Sequence, residues 1–399
     1  MSLSFAALAG LVALAAWVAL VLFRGAFWRA DQRLEEPLPG PDSWPGVVVI
    51  VPARNEAATV GRCIDSLLGQ AYPGPFSVIL VDDGSDDGTA AAARAAAAGS
   101  GRLSIVGARP PDPAWTGKLW AVAEGLAHAD TAAPEAPFVL FTDADIAHDR
   151  ESLRRLVSKA EAEGLDLVSL MVLLNCRGAW ERLLIPAFVF FFQKLYPFPL
   201  VNDAKRPEAA AAGGCMLVRR AALGRVGGVE AIRGRLIDDC ALGASLKRNG
   251  PIWLGLTRHL RSLRDYPRLK DIWDMVARTA FEQLRHSAAA LAGTVLAMAV
   301  IYLAPPAAAV AGAVTGDPVA GLAGLAGWSL MAFAYRPTVR LYGQGSWRAL
   351  LLPAAALLFT LMTVDSAKRH WAGRGGAWKG RNRGGFTQGP DAGPGGRGG

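Results

Sequence analysis

Cysteine is scarce in this sequence, and its spacing argues against the commonest cysteine sites. The 399 residues contain four cysteines, Cys63, Cys176, Cys215 and Cys240. No two of them form a CxxC pair and no histidine stands at ligand spacing from them, so a zinc site is not expected. Isolated thiols suit a reducing cytoplasm.

Charged residues are also few, at 19% of the chain against 52% hydrophobic residues. This balance is too apolar for an ordinary soluble enzyme, and the long apolar runs stand at the two ends. The net charge of +8 comes largely from Lys and Arg beside those runs and in the tail, as in proteins that keep basic residues on the cytoplasmic side of a membrane. No basic stripe with interleaved aromatic residues is present, so nucleic-acid binding is not expected.

The N-terminal apolar run, residues 3–23, is long enough to cross a bilayer as a helix. No basic region precedes it and no small-residue cleavage site follows it, so we interpret residues 1–24 as a retained anchor. Arg24, Arg29 and Arg33 come next, and they predict that the following domain is cytoplasmic.

The C-terminal third, residues 287–366, contains three further candidate spans, at 287–314, 319–335 and 349–364. A basic, Gly-rich tail follows at 367–399, and its charge predicts a cytoplasmic location. Three full crossings would instead put the tail outside. Either one segment is re-entrant, or Pro305 and Pro306 split the first run into a hairpin.

The middle of the chain, residues 44–286, alternates strand and helix patterns. Strands are predicted at 47–51, 76–81, 103–106 and 138–141, and helices at 59–70, 88–98 and 118–128. Such alternation predicts an α/β fold with a Rossmann-like, mostly parallel sheet, whose ligands bind at the carboxyl ends of the strands. No GxGxxG follows the first strand, which disfavours a hydride-transfer enzyme.

Polar clusters with acidic residues stand at three of those strand ends. Asp143 and Asp145 follow the fourth strand, and two such carboxylates suit Mg²⁺ or Mn²⁺ shared with substrate phosphates. Asp82 and Asp83 follow the second strand and are candidates for binding a nucleobase or ribose, as is Glu56 after the first. Aspartates also cap helices and glutamates stabilise helix starts, and a helix cap is the expected role of Asp86 or Asp87.

The motifs together resemble the family 2 inverting glycosyltransferases of GT-A fold. The resemblance covers residues 47–285 and rests on VPARNE, VDDGSDDGT, WTGK, DAD, GGCML and IDDCALG. Taken whole, with ARTAF at 277–281, DSA at 365–367 and WKGR at 378–381, the chain is similar to the hopene-associated glycosyltransferases. The resemblance implies a bacterial inner-membrane enzyme with several spans and a cytoplasmic catalytic domain.

The resemblance also assigns roles to matching positions. The nucleotide-sugar (UDP- or GDP-sugar) would be bound by Pro52, Arg54, Glu56, Asp82, Asp83, Lys118, Asp143, Gly213, Gly214 and Arg278. Asp143 and Asp145 would hold the metal. Asp239, with Asp238 beside it, would be the general base that deprotonates the acceptor, although both could simply cap a helix.

Two features of the sequence bear on the kind of acceptor: an eroded motif and an aromatic segment. The Gln-x-x-Arg-Trp motif of many membrane-bound relatives is eroded here, where Arg278 is followed by Thr279. That erosion fits transfer of one sugar to a lipid better than chain elongation, with a processive polysaccharide synthase or a non-catalytic assembly protein as alternatives. The aromatic segment 183–200 is either an interfacial helix beside the acceptor entrance or a core helix.

Overall fold

The computed structural model describes residues 3–36, 38–110, 112 and 114–373. The tail from residue 374 onward, with the WKGR motif, lies outside the described residues. The strands are β1 Val47–Ala53, β2 Phe76–Asp82, β3 Leu103–Gly107, β4 Phe138–Thr142, β5 Ile146–His148, β6 Leu167–Leu173, β7 Cys215–Arg219 and β8 Ile252–Ser262. The helices are α1 Phe5–Phe23, α2 Ala57–Leu68, α3 Thr89–Ala97, α4 Gly117–Ala132, α5 Ser152–Ala162, α6 Ala179–Leu195, α7 Phe198–Asn202, α8 Arg220–Arg225, α9 Asp238–Lys247, α10 Leu269–Ala277, α11 Ala280–Gln283, α12 Ala288–Met298, α13 Ala304–Thr315, α14 Pro318–Leu341 and α15 Leu352–Trp371.

The eight strands form one sheet in the order β3-β2-β1-β4-β7-β6-β8-β5. β3, β2, β1 and β4 are parallel, as the sequence predicts. β7 runs antiparallel to both β4 and β6, and β8 is parallel to β6 but antiparallel to β5. The α/β Rossmann-like class is confirmed, with an antiparallel strand inserted beside the parallel half.

The central strand β1 is buried along its whole length because helices cover both faces of the sheet. Val48 and Ile50 belong to the apolar core on one face, and Val47, Val49 and Val51 to the core on the other. This is the environment that an uninterrupted β-branched run predicts for an inner parallel strand. All four predicted strands and the three predicted helices are present, with ends moved by a few residues.

The aromatic segment 183–200 forms most of α6 and continues into α7. Its Phe190 ring is buried against Phe27 at a centroid distance of 5.4 Å and against Tyr335 at 5.1 Å. Leu184 and Ile185 are buried in the same cluster, which is shared with α1, α14 and α15. α6 therefore lies packed at the junction between the sheet domain and the apolar helices.

The described part of the chain has four helices that are long and apolar enough to span a membrane: Phe5–Phe23, Ala288–Thr315, Pro318–Leu341 and Ser346–Trp371. The second is continuous, because a π-helical turn at Ala299–Leu303 joins α12 to α13. Pro305 and Pro306 fall in the first turn after it, where a missing N–H is tolerated. The prolines therefore do not divide this run into a hairpin.

Three of these helices run between the sheet domain and the end of the helix bundle that lies farthest from it. At the far end, Ser4 before α1 donates a hydrogen bond to Asp317 before α14. At the domain end, Arg24 after α1 donates to the Lys194 carbonyl at 3.2 Å, and Arg258 of β8 donates to the Arg340 carbonyl of α14 at 3.3 Å. α13 ends next to the start of α14, so α12–α13 covers the same length in the opposite direction.

The fourth apolar segment, Ser346–Trp371, begins beside the domain end of α14, where Arg340 donates a hydrogen bond to Ser346 Oγ at 3.1 Å. Just before α15, the Leu350 carbonyl accepts a 3.1 Å hydrogen bond from Trp328, near the middle of α14. At the other end, Ser366 accepts from the Phe281 amide at 3.0 Å and Asp365 accepts from Trp273 at 2.8 Å. α15 thus starts partway along the bundle and returns to α10 and α11.

Candidate active site

The ends of β1 and β2 are joined by a network that orders the two loops. β1 and β2 are in register, with Ala53 opposite Asp82. Arg54 pairs with the buried Asp83 carboxylate at 3.7 Å and also donates to its carbonyl. The Asn55 amide donates to Ser85 Oγ at 3.0 Å, and the Ser85 amide donates to Asp82 Oδ1 at 3.0 Å. These carboxylates therefore lie together at one strand edge, as predicted.

Asp87 has the capping role that the sequence analysis allows for Asp86 or Asp87. One of its carboxylate oxygens accepts from the Thr89 amide at 3.0 Å, at the start of α3. The other accepts from the Ala57 amide at 2.9 Å, at the start of α2. The carboxylate serves two helix N-termini, where a negative charge is favourable.

Lys118, at the start of α4, joins two of the predicted groups of site residues. Its ammonium group is 2.8 Å from Asp143 after β4 and 3.9 Å from Asp238 at the start of α9. Burial disfavours the ammonium, but Asp143, Asp238 and Asp239 together raise its pKa above the usual value. Lys118 is therefore a permanent positive charge between Asp143, a candidate metal ligand, and Asp238, which stands beside the candidate base Asp239.

Asp145 is held by a cation that the sequence analysis did not assign. Arg264, two residues after β8, donates from Nε to Asp145 at 2.7 Å and from Nη2 to Glu56 at 2.6 Å. Burial and the neighbouring Asp143 raise the pKa of Asp145, and Arg264 opposes that rise. Two neighbouring carboxylates at a strand edge form a fitting place for a divalent cation.

The donor set limits how such a cation would be held. Within the described residues there is no group of three or more His, Cys, Asp or Glu side chains arranged as metal ligands. Asp143 and Asp145 would therefore share the ion with oxygen atoms of the substrate, which is the usual arrangement for Mg²⁺ bound to phosphates. The residues present fit a metal that arrives with a diphosphate.

Asp239 stands in the first turn of α9 with both carboxylate oxygens oriented. Oδ2 accepts from the Gly213 amide at 2.8 Å and Oδ1 accepts from the Cys240 amide at 2.7 Å. Burial and the adjacent Asp238 raise the pKa of Asp239 to about 6, against the opposing effect of Lys118. A half-buried carboxylate with a raised pKa, held in one orientation, has the properties of a general base near neutral pH.

The two glycines before β7 face different surroundings. A Cβ on Gly213 would lie 3.2 Å from Asp239 Oδ2 and 3.3 Å from Lys118 Nζ. A Cβ on Gly214 would instead meet Val172 at 3.1 Å. Gly213 thus lets the backbone approach the site residues closely. Pro52 also lies here, lining a cavity of about 20 Å³ with Lys118, Asp143, Gly213 and Asp238.

Arg278 lies at the end of α10 with an exposed side chain. Burial raises the pKa of the Tyr266 hydroxyl to about 12; Arg264 and Arg278 oppose the rise, whereas Asp145 and Asp143 add to it. Tyr266 therefore lies within electrostatic range of all four groups. The direct ion pair with Asp145 is made by Arg264.

A polar pair lies on the α6 and α11 side of Asp239. Gln283 donates to the Tyr196 hydroxyl at 2.7 Å. Burial raises the pKa of that hydroxyl above its usual value, and the neighbouring Cys240 and Asp239 add to the rise. Tyr196, Gln283, Arg264 and Tyr266 were missed because no motif marks them. The aromatic run around Tyr196 was the one available signal.

The comparisons with known proteins identify the domain class. Residues 48–227 match the family model described as Glycosyl transferase family 2. This segment is a family 2 glycosyltransferase domain, and the motif-based expectation of that class is confirmed.

Two curated proteins are similar to this chain. Glycosyltransferase AglE of Haloferax volcanii is 31% identical over 125 residues, which are 31% of this chain and 38% of that protein. The 4,4'-diaponeurosporenoate glycosyltransferase of Staphylococcus aureus is 32% identical over 119 residues, or 30% and 29% of the two chains. The matched segment thus spans about a third of the length of these relatives.

A solved structure shares the overall fold. The mannosyltransferase PcManGT from Pyrobaculum calidifontis, in complex with GDP-Man and Mn²⁺, superposes with a TM-score of 0.54 at 22% identity. The superposition covers 90% of this chain and 99% of that one. The shared fold is the GT-A fold, and the coverage extends beyond the segment matched by the family model.

Proposed function

We propose that this protein is an inverting glycosyltransferase that moves a single sugar from a nucleotide-diphosphate-sugar to the hydroxyl group of a membrane lipid. The arrangement around Lys118 carries the proposal. Its ammonium group lies between Asp143 of the metal-type pair and Asp238, next to the oriented Asp239 carboxylate. Charge-neutralising and proton-accepting groups therefore lie at the same sheet edge, as transfer from a diphosphate requires.

Asp143 and Asp145 would hold Mg²⁺ or Mn²⁺ in this proposal. When bound, the ion offsets the negative charge that develops on the leaving diphosphate. PcManGT, of the same fold, was crystallised with Mn²⁺ and GDP-Man, which supports a divalent ion and a nucleotide-sugar. Lys118 adds a positive charge on the side of Asp143.

The nucleotide would bind at the ends of β1 and β2. Glu56, Asp82 and Asp83 offer acceptors for base and ribose hydroxyls, and Arg54 holds Asp83 in place. Pro52 lines the same cavity as Lys118, and Gly213 and Gly214 would let the backbone pass close to the donor and the acceptor.

Asp239 would take the proton of the acceptor hydroxyl. The hydroxyl oxygen then forms a bond to the anomeric carbon, and the bond to the diphosphate oxygen breaks with its electron pair on the nucleotide. Attack opposite the leaving group inverts the anomeric centre. The amide hydrogen bonds from Gly213 and Cys240 leave other lone pairs of Asp239 available for the proton.

The acceptor would reach Asp239 from the membrane side. Tyr196 and Gln283 lie on that side, and α6 packs directly on α14 and α15. The S. aureus relative is named for glycosylating 4,4'-diaponeurosporenoate, which supports a lipid-like acceptor. The resemblance of the whole chain to hopene-associated enzymes favours a hopanoid.

The helix directions support a bacterial inner-membrane protein with a cytoplasmic catalytic domain. We assign residues 1–24 to an anchor, 44–286 to the catalytic domain, 287–366 to apolar helices and 367–399 to a basic tail. α1, α12–α13 and α14 would cross the membrane, and the segment Ser346–Trp371 would be re-entrant, since Ser346 lies beside the domain end of α14 and Ser366 contacts the Phe281 amide of α11. The start of the tail is then cytoplasmic, which agrees with its charge.

The test is to incubate membranes containing the full chain with labelled UDP- and GDP-sugars, with Mg²⁺ or Mn²⁺, and to extract the lipids. We expect one labelled sugar per lipid, and no transfer by Asp145→Asn or Asp239→Asn. Absence of transfer under every condition would refute the proposal. Long polymer would indicate a processive synthase, and donor binding without turnover an assembly protein.

A further inference from the structure

Arg264 contacts carboxylates from two different parts of the proposed donor site. Its Nε is 2.7 Å from Asp145, a proposed metal ligand, and its Nη2 is 2.6 Å from Glu56, a proposed nucleotide ligand. The two carboxylate side chains are each 13% exposed, whereas Arg264 is 37% exposed. One guanidinium thus neutralises two largely buried charges and keeps its own access to the cleft.

The backbone around Arg264 is anchored on both sides. The Leu263 amide donates to the Asp145 carbonyl at 2.7 Å, and the Tyr266 amide donates to Glu181 at 2.7 Å. Glu181 also accepts from the Gly178 amide at 2.7 Å at the start of α6. With its main chain held, the long Arg264 side chain is the part that can change position.

The position of Arg264 disfavours simultaneous metal binding, because its Nε is 2.7 Å from Oδ2 of Asp145. An ion shared by Asp143 and Asp145 would approach the carboxylate that Arg264 covers, and two cations on one carboxylate repel each other. A guanidinium released from Asp145 would have donors directed into the cleft, and such donors match phosphate oxygens in pairs.

We propose that Arg264 is a stand-in cation. It neutralises Asp145 and Glu56 in the donor-free protein, releases Asp145 when the metal-bound donor enters, and then binds the diphosphate. This inference rests on the proposed function in one respect, which is that Asp145 binds the metal. Arg264 would then prevent tight binding of the ion before the donor arrives.

The experiment compares Mn²⁺ binding by purified full-length protein in detergent, without donor, using the electron paramagnetic resonance signal of free Mn²⁺. Arg264→Gln removes the competing cation, and we expect Mn²⁺ to bind roughly 5- to 50-fold more tightly. Arg264→Lys keeps the charge but loses the guanidinium that contacts Asp145 and Glu56 at once, so we expect a smaller gain in Mn²⁺ affinity. Arg268→Gln is the matched control, because Arg268 is exposed and pairs with Asp271, and its affinity should equal that of wild type.

A second readout is donor binding with Mn²⁺ present, measured by calorimetry. We expect both Arg264 variants to bind the nucleotide-sugar at least about tenfold more weakly, because a phosphate contact is lost. The opposite signs of the two effects distinguish a stand-in cation from a residue that merely supports the fold.

Unchanged or weaker Mn²⁺ binding in Arg264→Gln would overturn the inference and make Arg264 a fixed support for Asp145. If Arg264→Gln does not fold, Arg264→Lys decides by the same criterion. Tighter Mn²⁺ binding by Arg264→Gln, together with no sugar transfer by the wild-type protein, would refute the proposed function alone. Normal transfer with unchanged Mn²⁺ affinity would refute the inference alone.

Discussion

Replacing Gly213 with alanine would place a methyl group between Asp239 and Lys118. The new Cβ would lie 3.2 Å from Asp239 Oδ2 and 3.3 Å from Lys118 Nζ, where ordinary contact begins at 3.4 Å. Gly213 is not among the glycines with positive φ, so alanine can adopt its backbone conformation. The substitution therefore acts on the two functional side chains rather than on the backbone.

The size of the effect follows from these distances. The two side chains must move by about 0.1–0.2 Å, and a misplacement of about 1 Å can cost about 100-fold in rate. That displacement alone gives a loss of about twofold, and the methyl group also occupies space beside the base. We expect kcat/KM to fall roughly three- to tenfold, with a change in unfolding free energy within about 1 kcal/mol.

Gly214→Ala is the matched control for this prediction. Its Cβ would lie 3.1 and 3.2 Å from the two methyl groups of Val172, and no site carboxylate is among its nearest neighbours. We expect Gly214→Ala to lower the melting temperature by a few degrees and to keep kcat. Initial rates against donor and acceptor, with thermal unfolding in the same detergent, measure both. A folded Gly213→Ala variant with wild-type kcat/KM would refute the assignment of Asp239 and Lys118.

Three further outcomes are expected. Asp239→Asn should lower kcat roughly 10²- to 10⁴-fold while donor affinity in calorimetry is kept; full turnover would exclude Asp239 as the base. Because the base must be ionised and its pKa is raised to about 6, kcat/KM should fall as the pH is lowered through about 6, and a flat profile would contradict this. Gly324→Ala should destabilise the bundle by roughly 1–3 kcal/mol, because its Cβ would lie 2.3 Å from the Ala309 amide nitrogen. Gly293→Ala, with open space around its Cβ, is the control in thermal unfolding. Equal melting temperatures for the two variants would count against the close contact between α13 and α14.

The local pattern of the sequence was enough to predict the parallel half of the sheet and its acidic edge. Apolar β-branched runs such as 47–51 indicate inner strands, because only a strand covered on both faces can bury every side chain. Parallel strands end at the same edge, so Asp83 and Asp143 had to lie near each other once the strands were assigned. Asp239 was assigned by its motif, and its position beside Gly213 agrees with that role.

The tertiary structure decided the contacts that join distant segments. Arg264 pairs with Asp145, 119 positions away, and with Glu56, 208 positions away. With 42 Lys and Arg residues in the chain, no spacing rule indicates which one reaches the acidic edge, because that depends on how β8 packs. The return of α15 to the domain is likewise invisible in hydropathy, which measures the length of an apolar run and not the side on which each end is held.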